Sequence, residues 1–382
     1  MTRAELDILL MPEVAAAVRE NLERDPLRIA LDKSVPYARE VATQVKYLQR
    51  ARRKLPRLYE ACGIIPPRAF EQSSSEECAS AKRIKGESLL DLTCGLGMDS
   101  AALSANFGRV VALERDEVLA DVTRENLRRM GIGNVEVVTT SAEDFLATTT
   151  DHFDWIYADP DRRTDKGERV FRLEDCSPNV LALMPDIKRV GDRLALKNSP
   201  LFDVEEAFRL FPKSVVEVVS LRGECKEVMI YDGAPCAVIA AEAVGKGRVE
   251  FVLEEVDNSP CNEPFEPSRY THLIIPDVAL QKARIVAHAL RGKADVWSNN
   301  SFGFAQDGCD GVLARVERIG RIEPFDIKSL KREIKGKGVD IILREFPMGV
   351  DELRKRTGAR SGNDKKIALT RIAGKGYTIF LE

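Results

Sequence analysis

Histidine, tryptophan and closely spaced cysteines are what this sequence has least of. Three histidines and two tryptophans occur in 382 residues. His152, His272 and His288 fall far apart in the chain and read as ordinary surface or core residues rather than catalytic ones. No two of the eight cysteines stand at C-x-x-C spacing, so neither a structural zinc site nor any other metal is expected. Scattered cysteines of this kind fit reduced thiols in a cytoplasmic protein. No apolar run approaches the length of a membrane span. The N-terminus, "MTRAELDILLMPEV", has only a short apolar run, broken by Pro12, and lacks the shape of a signal peptide. One-signed charge is missing as well: a net charge of −3 gives no global pull toward nucleic acid and leaves that role to local patches.

Two such patches exist. "KYLQRARRKLPR", Lys46 to Arg57, carries six basic residues and no acid, and the stretch from Arg321 to Glu382 holds 15 Lys and Arg against 9 Asp and Glu. Either serves as a solvated helix face or as a contact for an anionic partner. Apolar residues make up 44% of the chain, enough material for more than one core at this length.

Residues 1–85 read as a helical region. "PEVAAAVREN" starts with proline, and Val41, Val45, Leu48 and Ala51 recur at helical spacing in "PYAREVATQVKYLQRARRKLPRLYEAC". Serines in "EQSSSEECASAKR" suit a new helix start. From Glu87 the texture becomes short apolar strands alternating with helices: "SLLDLTC", "RVVALE", "NVEVVTT", "FDWIYADP" and "RLALKN". This pattern predicts an α/β fold, a doubly wound Rossmann-like parallel sheet covered on both faces, over residues 86–256. After Val215, "VVEVVSLRGECKEVMIYD", "CAVIAAEAV" and "RVEFVLEEV" follow without helices, which predicts an antiparallel edge. "DNSPCNEPFEPSRY" marks a linker. Beyond it a small α+β unit is expected over 257–320 and a basic unit, ending in a hairpin across "AGKG", over 321–382.

The chemistry centres on "LLDLTCGLGMDS", Leu89 to Ser100. Gly95 and Gly97 follow the first strand and precede a helix, where a ligand sits beyond the carboxyl ends of a parallel sheet. Without Cβ atoms they permit a tight turn and close approach of a ligand. Glu114 ends the next strand, 19 residues after Gly95, where a carboxylate suits ribose hydroxyls. A dinucleotide fingerprint would place a third glycine where Ser100 stands. Asp91, four residues ahead of the first glycine, suits a ligand carrying an amino group rather than a diphosphate.

The D-x-x-x-G-x-G spacing resembles the first motif of class I S-adenosylmethionine-dependent methyltransferases. The resemblance implies S-adenosyl-L-methionine as cofactor, held by Asp91, Thr93, Gly95, Gly97 and Asp99, with Glu114 as the ribose-binding acid and Ser141 and Ala142 of "TTSAEDF" as the adenine turn. The family usually has an acid where Ser141 stands; either Ser141 bonds the adenine amine, or Glu143 or Asp144 substitutes. "DPDRR" (Asp159 to Arg163), together with "LEDCSPNV", "LKNSPLFD", "EQSSSEECASAKR" and "GECKE", resembles the bacterial THUMP-like-domain methyltransferases over nearly the whole chain. In that family the turn reads DPARR; here Asp161 replaces the alanine. The resemblance implies a helical N-terminal region, a methyltransferase core, a ferredoxin-like unit and a THUMP-like terminal domain, with RNA as the substrate class. A protein or small-molecule substrate is the alternative, as is a non-catalytic RNA-binding module retaining the fold.

Methyl transfer from a sulfonium requires alignment of two reactants and exclusion of water. Asp159 is the candidate for holding or deprotonating the nucleophile, presented by Pro160. Arg162 and Arg163 are the candidates for substrate binding, since a guanidinium stacks on a base or clamps a phosphate; bracing the loop against Asp161, Glu168 or Glu174 is the alternative. Cys94 reads as a packed small residue. Ser74 and Ser75 either cap a helix or reach the cofactor's carboxylate.

Overall fold

A computed structural model of the chain describes residues 1–162 and 172–382. These form two compact units, one of Met1–Ser214 with Val228–Pro235, the other of Val215–Glu227 with Cys236–Glu382. Among the described residues no helix is long and apolar enough to cross a membrane.

The first unit is built on parallel strands β1 (Gly86–Asp91), β2 (Phe107–Glu114), β3 (Val135–Thr139), β4 (Phe153–Ala158) and β5 (Gly191–Asn198), ordered β3-β2-β1-β4-β5. Successive residues of a strand face opposite sides. Val110, Val111, Ala112 and Leu113 of β2 are all nearly inaccessible, as are Leu194, Ala195 and Leu196 of β5, so both faces of the sheet are covered. This is the expected α/β sheet. The chain runs outward from β1 through β2 to β3, then returns to lay β4 on the other side of β1. The gap between β1 and β4 at their carboxyl ends is therefore the switch point, where a ligand crevice opens.

The N-terminal region is helical, as its periodicity predicts. The helix Ala38–Lys54 buries Val41, Val45, Leu48 and Ala51 and stops at Leu55, ahead of Pro56, so the long expected helix is two pieces. Its hydrophobic cluster includes Leu96 and Met98 of the glycine turn and Val122 of the helix Glu117–Arg129. Two buried amides tie the region down. Asn126 accepts from the amide of Ile64 at 2.7 Å and donates to its carbonyl at 2.8 Å, while Gln44 does the same for Ile65 at 2.9 and 3.2 Å.

Further strands are β6 (Ser214–Leu221), β7 (Glu224–Asp232), β8 (Val238–Ala243) and β9 (Gly247–Val252). The part of β7 in the first unit pairs antiparallel with β5. Positive φ at Arg222 and Gly223 divides "VVEVVSLRGECKEVMIYD" into two strands where the sequence suggests one. The expected antiparallel edge is mixed: β6 pairs parallel with β8, and β8 antiparallel with β9.

The second unit also holds β10 (His272–Pro276), β11 (Asp295–Val296), β12 (Gly303–Ala305), β13 (Ala314–Pro324), β14 (Gly338–Leu343), β15 (Arg360–Ile372) and β16 (Lys375–Leu381). They make one sheet ordered β11-β12-β10-β13-β16-β15-β14. Strand β13 runs through residue 320, so one strand serves both C-terminal segments that the sequence separates. The expected hairpin across "AGKG" joins β15 to β16, with Ala373 and Gly374 at positive φ. The helix expected over "VALQKARIVAHAL" is instead two short ones, Val278–Lys282 and Val286–Ala289, interrupted at Arg284 with φ +58°.

Replacing Asn126 by alanine leaves the Ile64 amide and carbonyl buried without partners. The expected cost is about 2–4 kcal/mol of stability, read as a lower midpoint in denaturant with an unchanged slope.

Candidate active site

A cleft of about 900 Å³ opens at the carboxyl ends of β1, β2, β4 and β5 in the first unit. Thr93, Gly95, Asp99, Glu114, Ser141, Ala142, Asp159, Pro160 and Arg162 line it; Asp91 and Gly97 lie behind this lining. Arg163 lies outside the described residues.

The glycine turn explains itself locally. Gly95 and Gly97 have φ of +56° and +77°, a region L side chains avoid. A Cβ on Gly95 would meet nothing nearer than the Thr93 carbonyl at 4.0 Å, so conformation alone calls for glycine and the space beside it stays open. A Cβ on Gly97 would stand 2.6 Å from the Thr123 methyl, so that glycine lets the helix Glu117–Arg129 pack. The Thr123 hydroxyl then donates to the Gly95 carbonyl at 2.8 Å.

Carboxylates hold the turn from both sides. One Glu114 oxygen accepts the Gly95 amide at 2.9 Å and the other the Asp116 amide at 2.8 Å; burial raises its pKa despite these donors. Asp91 is buried at 1% exposure. Its Oδ1 accepts from the Thr93 amide at 2.9 Å and the Thr93 hydroxyl at 3.3 Å, and its Oδ2 accepts from the Ser100 hydroxyl. Ser100, at the position of the absent third glycine, is thus a partner of Asp91. Burial pushes the Asp91 carboxyl up to about 7, against these donors and with Asp99 and Asp159 adding to the rise. Burial also raises the Cys94 thiol well above its ordinary value, which fits a packed residue and not a nucleophile.

Ser141 caps the helix Ala142–Thr148, accepting the Asp144 amide at 3.0 Å and donating to the Asp144 carboxylate at 2.7 Å. Glu143 lines the cleft beside Ser141, and Asp144 does not. Asp159 follows β4, and its amide donates to the Thr93 hydroxyl at 2.7 Å, which joins the glycine turn to the Asp-Pro corner. Asp161 pairs backbone to backbone with Ser177 and accepts from Gln72 at 3.3 Å. Arg162 lines the cleft and forms no ion pair among the described residues.

Two lysines escaped the sequence reading. The Lys197 ammonium, at the end of β5, donates to Asp159 Oδ2 at 2.6 Å and to the Ser74 hydroxyl at 2.8 Å, and stands 3.6 Å from Asp99. Lys82 donates to the other Asp99 oxygen at 2.7 Å, and Ser74 donates to Asp99 at 2.7 Å. Burial alone would raise the Asp99 carboxyl; the two ammoniums outweigh it and hold Asp99 well below the usual carboxylate range. A lysine directly after the apolar run "LAL" at the ligand-facing end of a strand was the available signal for Lys197. Ser75 caps the helix Glu76–Ser80, while Ser74 belongs to this ion cluster. None of the three histidines lines the cleft.

Residues 72–173 match the family described as Conserved hypothetical protein 95, and residues 314–382 match the THUMP domain-like family. A candidate methyltransferase from Porphyromonas gingivalis W83, known from its crystal structure, is 27% identical and superposes with a TM-score of 0.83, covering 97% of this chain and 98% of that one. An uncharacterized S-adenosylmethionine-dependent methyltransferase of Mycobacterium tuberculosis H37Rv is 26% identical over 341 residues, 85% of this chain and 90% of its own length. Ribosomal RNA small subunit methyltransferase J of Francisella tularensis SCHU S4 is 27% identical over 156 residues, which is 37% of this chain and 61% of that protein.

The raised Asp91 carboxyl sets a pH dependence. The folded state holds this proton more tightly than the unfolded chain, so stability falls as pH rises from about 4, the unfolded value, to the folded value of about 7. Asp91→Asn, which still bonds Thr93 and Ser100, removes that loss. Thermal melts of the variant should gain on wild type between pH 5 and pH 7; a constant difference across that range rejects the assignment.

Proposed function

We propose that this S-adenosylmethionine-dependent methyltransferase transfers its methyl group to RNA. The observation that carries the reading is the convergence of the glycine turn, Glu114 and Asp159 on one cleft. The basic stretch from Arg321 onward, within the THUMP domain-like match, favours an anionic polymer over a small neutral substrate. The Francisella relative, a ribosomal RNA methyltransferase by name, points the same way. Residues 86–256 are assigned to methyl transfer, with 257–320 and 321–382 engaging the substrate. Eight free thiols fit a cytoplasmic location.

The residues present suit the cofactor. The space beside Gly95 admits a close ligand, and Glu114 retains lone pairs for a ribose diol. Thr93, Gly95, Asp99, Glu114, Ser141 and Ala142 would hold it from the cleft, with Asp91 and Gly97 shaping the turn from behind. When bound, it supplies a methyl group on a positively charged sulfur. The protein's own work is to align the nucleophile and keep water out. Asp159, fixed by the Thr93 hydroxyl and the rigid Pro160, accepts a hydrogen bond from the nucleophile. Arg162 engages a phosphate or base of the substrate. Arg163 is assigned the same role.

Two variants separate binding from transfer. Glu114→Ala should weaken cofactor affinity at least tenfold by calorimetry. Asp159→Ala should leave that affinity nearly intact while methyl-label transfer into extracts of cells lacking the protein falls by about 10²–10⁴-fold. Label should appear in RNA, and nucleoside mass spectrometry then names the modified atom. Label in protein or small molecules would redirect the substrate assignment, and cofactor binding without any transfer would favour a binding module.

A further inference from the structure

Four ionised side chains meet at the floor of the cleft, drawn from four segments of the first unit. Lys82 precedes β1, Asp99 lies in the first turn of the helix Met98–Leu103 after the glycine turn, Asp159 follows β4, and Lys197 is the penultimate residue of β5. They alternate in sign along one line. Lys82 bonds Asp99 at 2.7 Å, Lys197 stands 3.6 Å from Asp99, and Lys197 bonds Asp159 at 2.6 Å. Side-chain exposure is 1% at Lys82, 11% at Asp99, 10% at Lys197 and 23% at Asp159. The buried end is therefore structural, and the open end faces the cleft.

Lys197 stands between the two ends, and its surroundings limit what it can do. Asp99, Asp159 and the Ser74 hydroxyl are within reach of its ammonium, so all three donor positions have an acceptor at hand. An ammonium that donates to Asp159 and Ser74 has no lone pair to offer a proton. Of its partners, Asp159 is the most exposed to the cleft and offers a route from Lys197 to the reacting atoms. Binding Oδ2 restrains the rotation of the carboxylate and leaves Oδ1 as the oxygen not engaged by Lys197. A carboxylate held this way can only accept hydrogen bonds.

We propose that Lys197 is a positioning residue for methyl transfer: by clamping Oδ2 of Asp159 it aims Oδ1 at the nucleophile, which confines the substrate to groups bearing an N–H or O–H. An exocyclic amine or a hydroxyl meets that condition. A ring nitrogen with only a lone pair presents no hydrogen and is repelled by the carboxylate. In the transfer, the nucleophile's lone pair forms the new bond to the methyl carbon as the carbon–sulfur bond breaks toward sulfur. The hydrogen held at Oδ1 leaves to the carboxylate and then to water. The inference rests on the role given to Asp159 above, and a double-mutant cycle keeps the two apart.

The variants are Lys197→Met, Asp159→Asn and their combination in the full-length chain. Activity is read as transfer of tritiated methyl into unfractionated extract from cells lacking the protein, and cofactor affinity by calorimetry. Lys197→Met keeps the buried Lys82–Asp99 pair and lets the partly exposed Asp159 turn to solvent, so the fold should persist. A melting curve and normal cofactor affinity check this, and Lys197→Arg supplies a second, charge-retaining variant. The expected result for Lys197→Met is about a hundredfold loss of kcat with cofactor affinity within threefold of wild type. Lys197→Arg should recover part of the loss, and the double variant should be no worse than Asp159→Asn alone. A Lys197→Met enzyme with near-normal kcat overturns the proposal. So does equal loss of cofactor affinity, which would mark a structural lysine, and so does additive loss in the double variant, which would mean that Lys197 acts directly. Near-normal activity of Asp159→Asn rejects the role of Asp159 itself.

Discussion

A carboxylate shared by two buried ammoniums organises the cleft of the first unit. Charges taken out of water are costly unless each finds a partner. Asp99 meets Lys82 and Lys197, and Lys197 in turn meets Asp159. The four residues come from the N-terminal region, the glycine turn and two strand ends. Their mutual neutralisation is possible only when those segments are in register. The geometry of the cleft floor is therefore set by folding, ahead of any ligand, which is the condition for electrostatic groups to assist a reaction without reorganising.

The helical N-terminal region has its physical place in the same arrangement. Leu96, between the two glycines, and Met98, just after them, point into its hydrophobic cluster with Leu6, Val45 and Leu58. The turn therefore has an apolar wall on one side and the Glu114 and Asp91 carboxylates on the other. Gln44 and Asn126 satisfy the backbone of Ile64 and Ile65 where the chain crosses between helices. A backbone stretch buried without a regular ladder needs side-chain partners of this kind. Arg68 and Gln72, on the next helix, then border the cleft. The region is the outer wall of the site rather than an appendage.

The sheet and the glycine turn were legible because both write themselves locally. Unbroken apolar strands separated by helical periodicity leave little but a covered parallel sheet. A glycine pair followed by an acid at the next strand end places a ligand at its switch point. The ion cluster was not legible, because its members lie 17, 38 and 123 residues apart in the chain and an isolated lysine reads as solvated surface. The break at Arg222–Gly223 was masked by β-formers on both sides, and the split near Arg284 by an apolar run that continues through it. Helix periodicity likewise ran on past Leu55, although Pro56 carried the stop signal. Local pattern identified the elements; what it could not see were contacts that only the assembled sheet creates.

The missing third glycine completes the electrostatic account of ligand choice. In a dinucleotide site that glycine draws the helix onto the strand and leaves its N-terminus free for pyrophosphate. Here Ser100 draws them together differently, through its hydroxyl on the Asp91 carboxylate beneath. Asp99, in the first helical turn, is paired with Lys82 and Lys197 and is therefore a neutralised carboxylate. Asp91, Asp99 and Asp159 are three carboxylates facing two ammoniums, Lys82 and Lys197. Leaving Asp91 protonated near neutral pH balances the cluster, in line with its raised pKa. The amides of Cys94, Gly95 and Gly97 are already bonded, to the Leu113 carbonyl, the Glu114 carboxylate and the Cys94 carbonyl, so those three are not free donors for a diphosphate. Occupied donors, rather than an excess of negative charge, set this turn apart from a pyrophosphate site.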